Sequence, residues 1–171
     1  MDRADVHPAT TSAQALLAQC NVRRLRRSGP GGQHRNKVET AVSLRHRSTG
    51  VCAEADERRS QAENRSVALF RLRVNLALRV RQIRSPGSSP SPTWEQRCRD
   101  GRISVNPSHD DFPILLAEAL DVIAACGMDV KAAAEILRCS VSQLVKLLKR
   151  EPRAIGQVNQ QRRERGMRPL Q

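Results

Sequence analysis

Aromatic side chains are nearly missing from this 171-residue chain, which has no tyrosine, one tryptophan (Trp94) and two phenylalanines (Phe70 and Phe112). Any core must therefore be built from Leu, Val, Ile and Ala, and aromatic cages or base-stacking platforms are excluded as the main recognition device. No apolar run approaches the roughly eighteen residues a membrane span needs, and the N-terminus has Asp2, Arg3 and Asp5 with no long apolar region after them. Neither a membrane span nor a secretory signal is expected. The five cysteines (Cys20, Cys52, Cys98, Cys126 and Cys139) are widely spaced, with no pair two residues apart. That spacing excludes a zinc knuckle and a disulfide frame and reads as reduced thiols in a cytoplasmic protein. His7, His34, His46 and His109 are scattered, so no metal and no cofactor is expected.

What the chain has is positive charge. Thirty basic residues, twenty-six of them arginine, stand against seventeen acidic ones, for a formal net charge of +13. Residues 1–84 contribute +10 (17 basic, 7 acidic), residues 85–142 contribute −3 (5 and 8) and residues 143–171 contribute +6 (8 and 2). An arginine-rich genome would not spare the middle, so the charge points to a polyanionic partner, nucleic acid first, with salt-dependent affinity.

The pattern along the chain predicts an α+β unit followed by a helical one. Residues 1–19 read as a loose arm or short helix, and residues 20–27 as a short strand around Val22 and Leu25. From Ala41 the residues alternate through Val42, Leu44 and His46, turn at Ser48-Thr49-Gly50, and return through Val51, Ala53 and Ala55, which predicts a hairpin. Ser60-Gln61-Ala62-Glu63 is a capping box opening a long helix that should run to about Ile83. Val67, Phe70, Val74 and Leu78 fall on one side of that helix, and Leu69, Leu72, Leu76, Val80 and Ile83 fall roughly opposite, so it needs two partners. The hairpin is the expected cover for one face and the C-terminal segment for the other. A monomer is expected, with a homodimer seam as the rival that a solution mass would remove.

Residues 85–92, Ser-Pro-Gly-Ser-Ser-Pro-Ser-Pro, read as a linker. A helical domain over 93–151 follows: a short helix or connector after Trp94, a loop over 106–111, a helix from Pro113 to Gly127, one capped by Asp129, and one opened by a second capping box, Ser140 to Gln143. Residues 130–149 have the spacing of a helix-turn-helix, with Gln143, Lys146, Lys149 and Arg150 placed outward; a compact three-helix bundle produces the same spacing. A basic tail over 152–171 carries Arg162, Arg163 and Arg165, and its apolar Ile155, Val158 and Leu170 imply partial docking. Lys146, Lys149, Arg150, Arg162, Arg163 and Arg165 are candidate further contacts.

An enzyme of the usual kind shows a nucleophile with its base, paired carboxylates or a metal cluster, and none is convincing here. His46 reads as a half-buried structural residue. The segment from Arg27 through Gly29, Pro30, Gly31, Gly32, Gln33, His34, Arg35, Asn36 and Lys37 lacks the Lys-Ser/Thr ending of a nucleotide-binding loop. On physical grounds it is either a surface turn or a tip that brings bare backbone amides to an RNA end, where N–H groups stabilise charge developing in acyl transfer.

Gly31-Gly32-Gln33 with Asn36-Lys37, then Thr40-Ala41-Val42, Ser48-Thr49-Gly50, Arg59-Ser60-Gln61 and Asn64-Arg65, resembles the catalytic GGQ domain of class I peptide chain release factors over about residues 20–83. The resemblance implies a domain over 20–84 that packs a small hairpin-containing sheet on a long helix and enters the peptidyl-transferase centre of the large ribosomal subunit. It implies peptidyl-tRNA hydrolase activity, with Gly31 and Gly32 permitting close approach and the Gln33 backbone N–H stabilising the tetrahedral intermediate or the leaving 3′-oxygen. The Gln33 side chain would exclude bulkier nucleophiles and would be the target of N5-methylation by a glutamine methyltransferase. Arg27, His34, Arg35, Asn36, Lys37, Arg58, Arg59, Ser60, Gln61, Asn64 and Arg65 would hold the loop or meet RNA. The implied partners are the ribosome, peptidyl-tRNA and ribosomal RNA, with no membrane.

Arg35 departs from the family pattern, which has an apolar residue there. Nineteen leading residues leave no room for a codon-reading domain, which points to codon-independent release of the ribosome-rescue type. The helical unit does not resemble the rescue families, some of which use a basic C-terminal tail in an empty mRNA channel. Two other classes stay open: a non-catalytic ribosome-associated or assembly factor, and a helix-turn-helix nucleic-acid regulator.

Overall fold

The computed structural model describes residues 6–25, 40–84 and 88–171, and the chain divides into two units, Met1–Arg79 and Val80–Gln171.

The first unit starts with a 3-10 turn (Pro8–Thr10) and a short helix α1 (Ala13–Ala18), followed by strands β1 (Cys20–Leu25), β2 (Ala41–His46) and β3 (Cys52–Ala55) and the long helix α2 (Gln61–Arg79). The sheet is antiparallel in the order β1-β2-β3, with Leu25 opposite Ala41, Cys20 opposite His46 and Val42 opposite Ala55. Its hairpin forms as the alternation predicts, and Gly50 takes a positive φ of 70° to close the turn. β1 fails to alternate because it is an edge strand: only Cys20 is buried, and exposed Arg23 and Arg24 keep the edge from pairing with another chain. On β3 the inward residues are Ala53 and Ala55, small enough to let α2 approach the sheet closely.

α2 packs on β2 and β3, and the N-terminal turn packs on α2 as well. Of the two readings of residues 1–19 the short helix forms, and the described part of the segment is docked, with Ala9 and Leu16 fully buried and Arg73 Nε donating to the Ala9 carbonyl at 3.1 Å. α2 also stops four residues short of Ile83, which is fully exposed. Later in the chain, within the second unit, the Gln82 N–H donates to Asp121 Oδ1 (3.1 Å).

The second unit holds α3 (Pro92–Arg97), a two-stranded hairpin of β4 (Cys98–Arg99) and β5 (Arg102–Ile103), and helices α4 (Phe112–Ala125), α5 (Val130–Ile136), α6 (Val141–Lys149) and α7 (Pro152–Glu164). α4 is central and buried on almost all sides, as its apolar sequence requires. Its two buried carboxylates face the segment before α3: Glu118 accepts from Arg84 (2.8 Å), the Ser91 N–H (2.8 Å) and Ser91 Oγ (2.5 Å), while Asp121 accepts from Arg81 (3.1 Å). Arg84, just before the expected linker, and Ser91, within it, are thus fastened to α4. Trp94 is buried and donates its Nε1–H to the Leu137 carbonyl at 2.8 Å, tying α3 to the end of α5.

Two elements differ from the sequence reading. Residues 98–103 form a hairpin, not a plain connector, with Asp100 and Gly101 both at positive φ (49° and 72°). The residues expected to be a tail form α7, started by Pro152 in its first turn and by the Glu151 carboxylate accepting from the Arg153 N–H, with Ala154 and Val158 buried.

Candidate functional site

The first cluster of candidates surrounds the roots of a loop. Arg27, Gly31, Gly32, Gln33, His34, Arg35, Asn36 and Lys37 lie outside the described residues. The chain leaves β1 at Leu25 and re-enters β2 at Ala41, and these two residues face each other across the antiparallel pair. The chain between these two residues therefore starts and ends on adjacent paired strands.

Asn64 supplies the second constraint. It is fully buried near the start of α2; its Nδ2 donates to the Thr40 carbonyl (2.8 Å) and the Arg58 carbonyl (2.9 Å), and its Oδ1 accepts from the Arg58 N–H (2.9 Å). Only a primary amide offers donors and an acceptor together in this geometry. The side chain joins the last residue before β2 to the turn over 56–60 that leads into α2. The role of Thr40 is a main-chain one and leaves no signal in residue type. Sequence spacing alone does not reveal it.

Arg58, Arg59, Ser60 and Arg65 are exposed around this clamp, and Gln61 is half-buried. Ser60 caps α2 weakly, its Oγ accepting from the Glu63 N–H at 3.4 Å. Behind them Arg71 bridges Glu57 (2.5 Å) and the Glu54 carbonyl (2.8 Å), holding the turn against α2. Backbone N–H donation by Glu57 itself and by Asp56, together with Arg71, outweighs desolvation and draws the Glu57 carboxyl below its usual range. The surface beside these strand ends thus carries Arg58, Arg59 and Arg65, and the Glu57 carboxylate there is already paired.

Among the described residues no acid–base groups converge here. His46 is buried at the far end of β2, five strand positions or roughly 17 Å from the Ala41 root. Its ring contacts Thr49 Oγ1 (2.8 Å) and Gln19 Oε1 (3.1 Å), and burial, helped by Arg47, lowers its pKa. Burial likewise raises the thiols of Cys20, Cys98 and Cys126 and pushes Cys139 up to about 12, so these are poor nucleophiles. Among the described residues no group of three or more His, Cys, Asp or Glu could hold a metal, and no helix is long and apolar enough to cross a membrane.

The second cluster sits in the C-terminal unit and separates into two kinds of cation. Lys146, Lys149 and Arg163 are exposed. Arg150 instead donates to the Val105 carbonyl, Arg162 to the carbonyls of Met128 and Arg168, and Arg165 to that of Gln161, so these three also hold the fold. Gln143, expected outward, turns to accept the Ile103 N–H through Oε1 (3.3 Å). The capping box is therefore only half formed. Ser140 Oγ accepts from the Gln143 N–H (3.3 Å), but the Ser140 N–H goes to the Gly101 carbonyl (3.2 Å) on the hairpin.

Comparison with known proteins places this arrangement. The sequence model of the RF-1 domain matches residues 14–102. Curated relatives include a chloroplastic peptide chain release factor of Arabidopsis thaliana, 40% identical over 83 residues (44% of this chain and 18% of the relative). Peptide chain release factor 1 of Leptothrix cholodnii is 45% identical over 65 residues (38% and 18%), and that of Ureaplasma parvum is 51% identical over 51 residues (30% and 14%). The chain spans less than a fifth of the length of these relatives. No solved structure matches it. With more than half of its residues inside the RF-1 match, the chain belongs to the class I peptide chain release factor family.

Proposed function

We propose that this protein hydrolyses the ester of peptidyl-tRNA on the ribosome without requiring a stop codon, acting in the cytoplasm on stalled complexes. The observation that carries the reading is the RF-1 match across the loop whose roots, Leu25 and Ala41, are a bonded strand pair with Asn64 clamping the adjoining Thr40. Gly31 and Gly32 let the backbone approach the ester, and the Gln33 N–H stabilises the oxyanion as water adds to the carbonyl carbon. The bond to the 3′-oxygen then breaks, and that oxygen leaves with a proton. Ribosomal and transfer RNA position the ester, which is consistent with the lack of converging acid–base groups in the described part of the site. Lys37, Arg58, Arg59 and Arg65 neutralise RNA phosphates and fix register. Gln33 is the proposed substrate of a glutamine methyltransferase.

The test is release of labelled peptide from purified ribosomes carrying peptidyl-tRNA and no stop codon in the decoding site. Release by the wild-type chain is expected. Binding without release from intact ribosomes and from isolated large subunits would overturn the reading in favour of a non-catalytic factor.

A further inference from the structure

We propose that α6 and the β4–β5 hairpin together form a docking surface for the phosphate backbone of double-helical RNA. The choice of RNA over DNA rests on the proposed ribosomal function; the surface itself rests on the following geometry.

The hairpin and α6 are one rigid piece. The Gly101 carbonyl at the hairpin turn accepts the Ser140 N–H at the start of α6, Gln143 accepts the Ile103 N–H one turn later, and Arg150 reaches the Val105 carbonyl at the far end. Three contacts spaced along α6 fasten the segment 101–105 against one side of the helix. Leu144, Leu147 and Leu148 face the core, so Ser142, Lys146 and Lys149, four and three residues apart, form the outward row beside the hairpin.

That face is cationic. Arg99 and Arg102 flank the hairpin turn, and their side chains, with those of Lys146 and Lys149, are exposed and make no hydrogen bond or ion pair among the described residues. Arg138, in the turn between α5 and α6, has a side chain 71% exposed and only a loose 3.9 Å contact with Glu95. Asp100 is the one carboxylate within the hairpin turn. In α7, by contrast, Arg162 and Arg165 are engaged by main-chain carbonyls.

Size and chemistry select the ligand. From Ser140 to Lys149 the surface extends about 13 Å at 1.5 Å per residue, the axial length over which one strand of a duplex presents about four phosphates. Lysines act as point charges, and the hairpin arginines can grip phosphate through two N–H groups. The α6 residue best suited to reading a base edge, Gln143, already has its oxygen committed to Ile103. The surface therefore binds backbone and shape and does not read sequence.

The experiment measures binding of the full chain to a fluorescent RNA duplex of about 20 base pairs between about 0.05 and 0.2 M salt. The double variants Lys146→Ala/Lys149→Ala and Arg99→Ala/Arg102→Ala should each weaken binding about tenfold and reduce the salt slope by one to two. Arg23→Ala/Arg24→Ala on β1 removes the same charge and should change affinity less than about threefold. Circular dichroism should be unchanged in all three, since these side chains are exposed. Peptide release by the wild-type chain, read on the same preparation, separates failure of this proposal from failure of the hydrolase reading. Equal losses in all three double variants, wild-type binding in the first two, or tighter binding to a DNA duplex of the same sequence would each overturn it.

Discussion

The two units hold their irregular segments in place by different chemistry. In the N-terminal unit a neutral amide, Asn64, ties Thr40 to the turn at Arg58. In the C-terminal unit two ionisable side chains, Glu118 and Asp121, hold Arg81, Arg84 and Ser91 from inside an apolar helix. A neutral clamp satisfies carbonyls without placing charge near the loop beside it, where the proposed reaction develops an oxyanion. A carboxylate clamp binds more strongly per contact but depends on its cationic partner, because an unpaired buried charge is costly.

The sharpest way to break this contrast is Glu118→Ala. It removes the carboxylate partner of Arg84, which keeps only the Ser89 carbonyl, and leaves the Ser91 N–H and hydroxyl without their acceptor; it should cost about 3 kcal/mol, read as faster hydrogen exchange throughout α4 and the segment leading into α3. Next comes Asn64→Ala, which removes three hydrogen bonds in a fully buried site and should cost about 2 kcal/mol in the N-terminal unit, together with a fall in peptide release. Asn64→Asp sharpens the comparison. Nearly the same shape now points an oxygen at two carbonyls, so this variant should be no more stable than Asn64→Ala at neutral pH and should recover on acidification. Trp94→Phe should cost about 1 kcal/mol by leaving the Leu137 carbonyl unpaired.

The smallest effect is a pH dependence confined to the N-terminal unit. Burial holds the His46 pKa below its ordinary 6.5, so unfolding takes up a proton there. The contribution is complete above pH 6.5 and is lost as pH falls through the depressed folded value. His46→Gln should flatten the urea midpoint of that unit between neutral and acidic pH.

Local patterns made much of the fold readable. Alternation from Val42 to Ala55, the Ser60 start of α2 and the Asp129 and Ser140 caps all depend on residues a few positions apart, and the structure contains each of them. The readings that failed depend on distant partners. Gln82, expected inside α2, gives its N–H to Asp121, and Gln143 turns from its capping box to accept the Ile103 N–H. Asp100-Gly101 did offer a local signal, a dipeptide suited to two positive φ values, but the two-residue strands around it are too short to alternate. α7 was hidden because its polar and charged residues resemble a tail, and only Ala154 and Val158 bury. At the candidate site the side chains were legible as motif residues, whereas the Thr40 carbonyl that Asn64 holds has no identity to read.

The central claim is that a main-chain amide, carried by a loop rooted on paired strand ends, performs the hydrolysis. The most direct measurement compares Gln33→Pro with Gln33→Ala in the peptide-release assay. Proline deletes the N–H and should lower the rate by about 10²–10³ or more, whereas alanine keeps it and should retain release while admitting nucleophiles bulkier than water. Release by Gln33→Pro at the wild-type rate, or loss of release in Gln33→Ala equal to that in Gln33→Pro, would contradict the account.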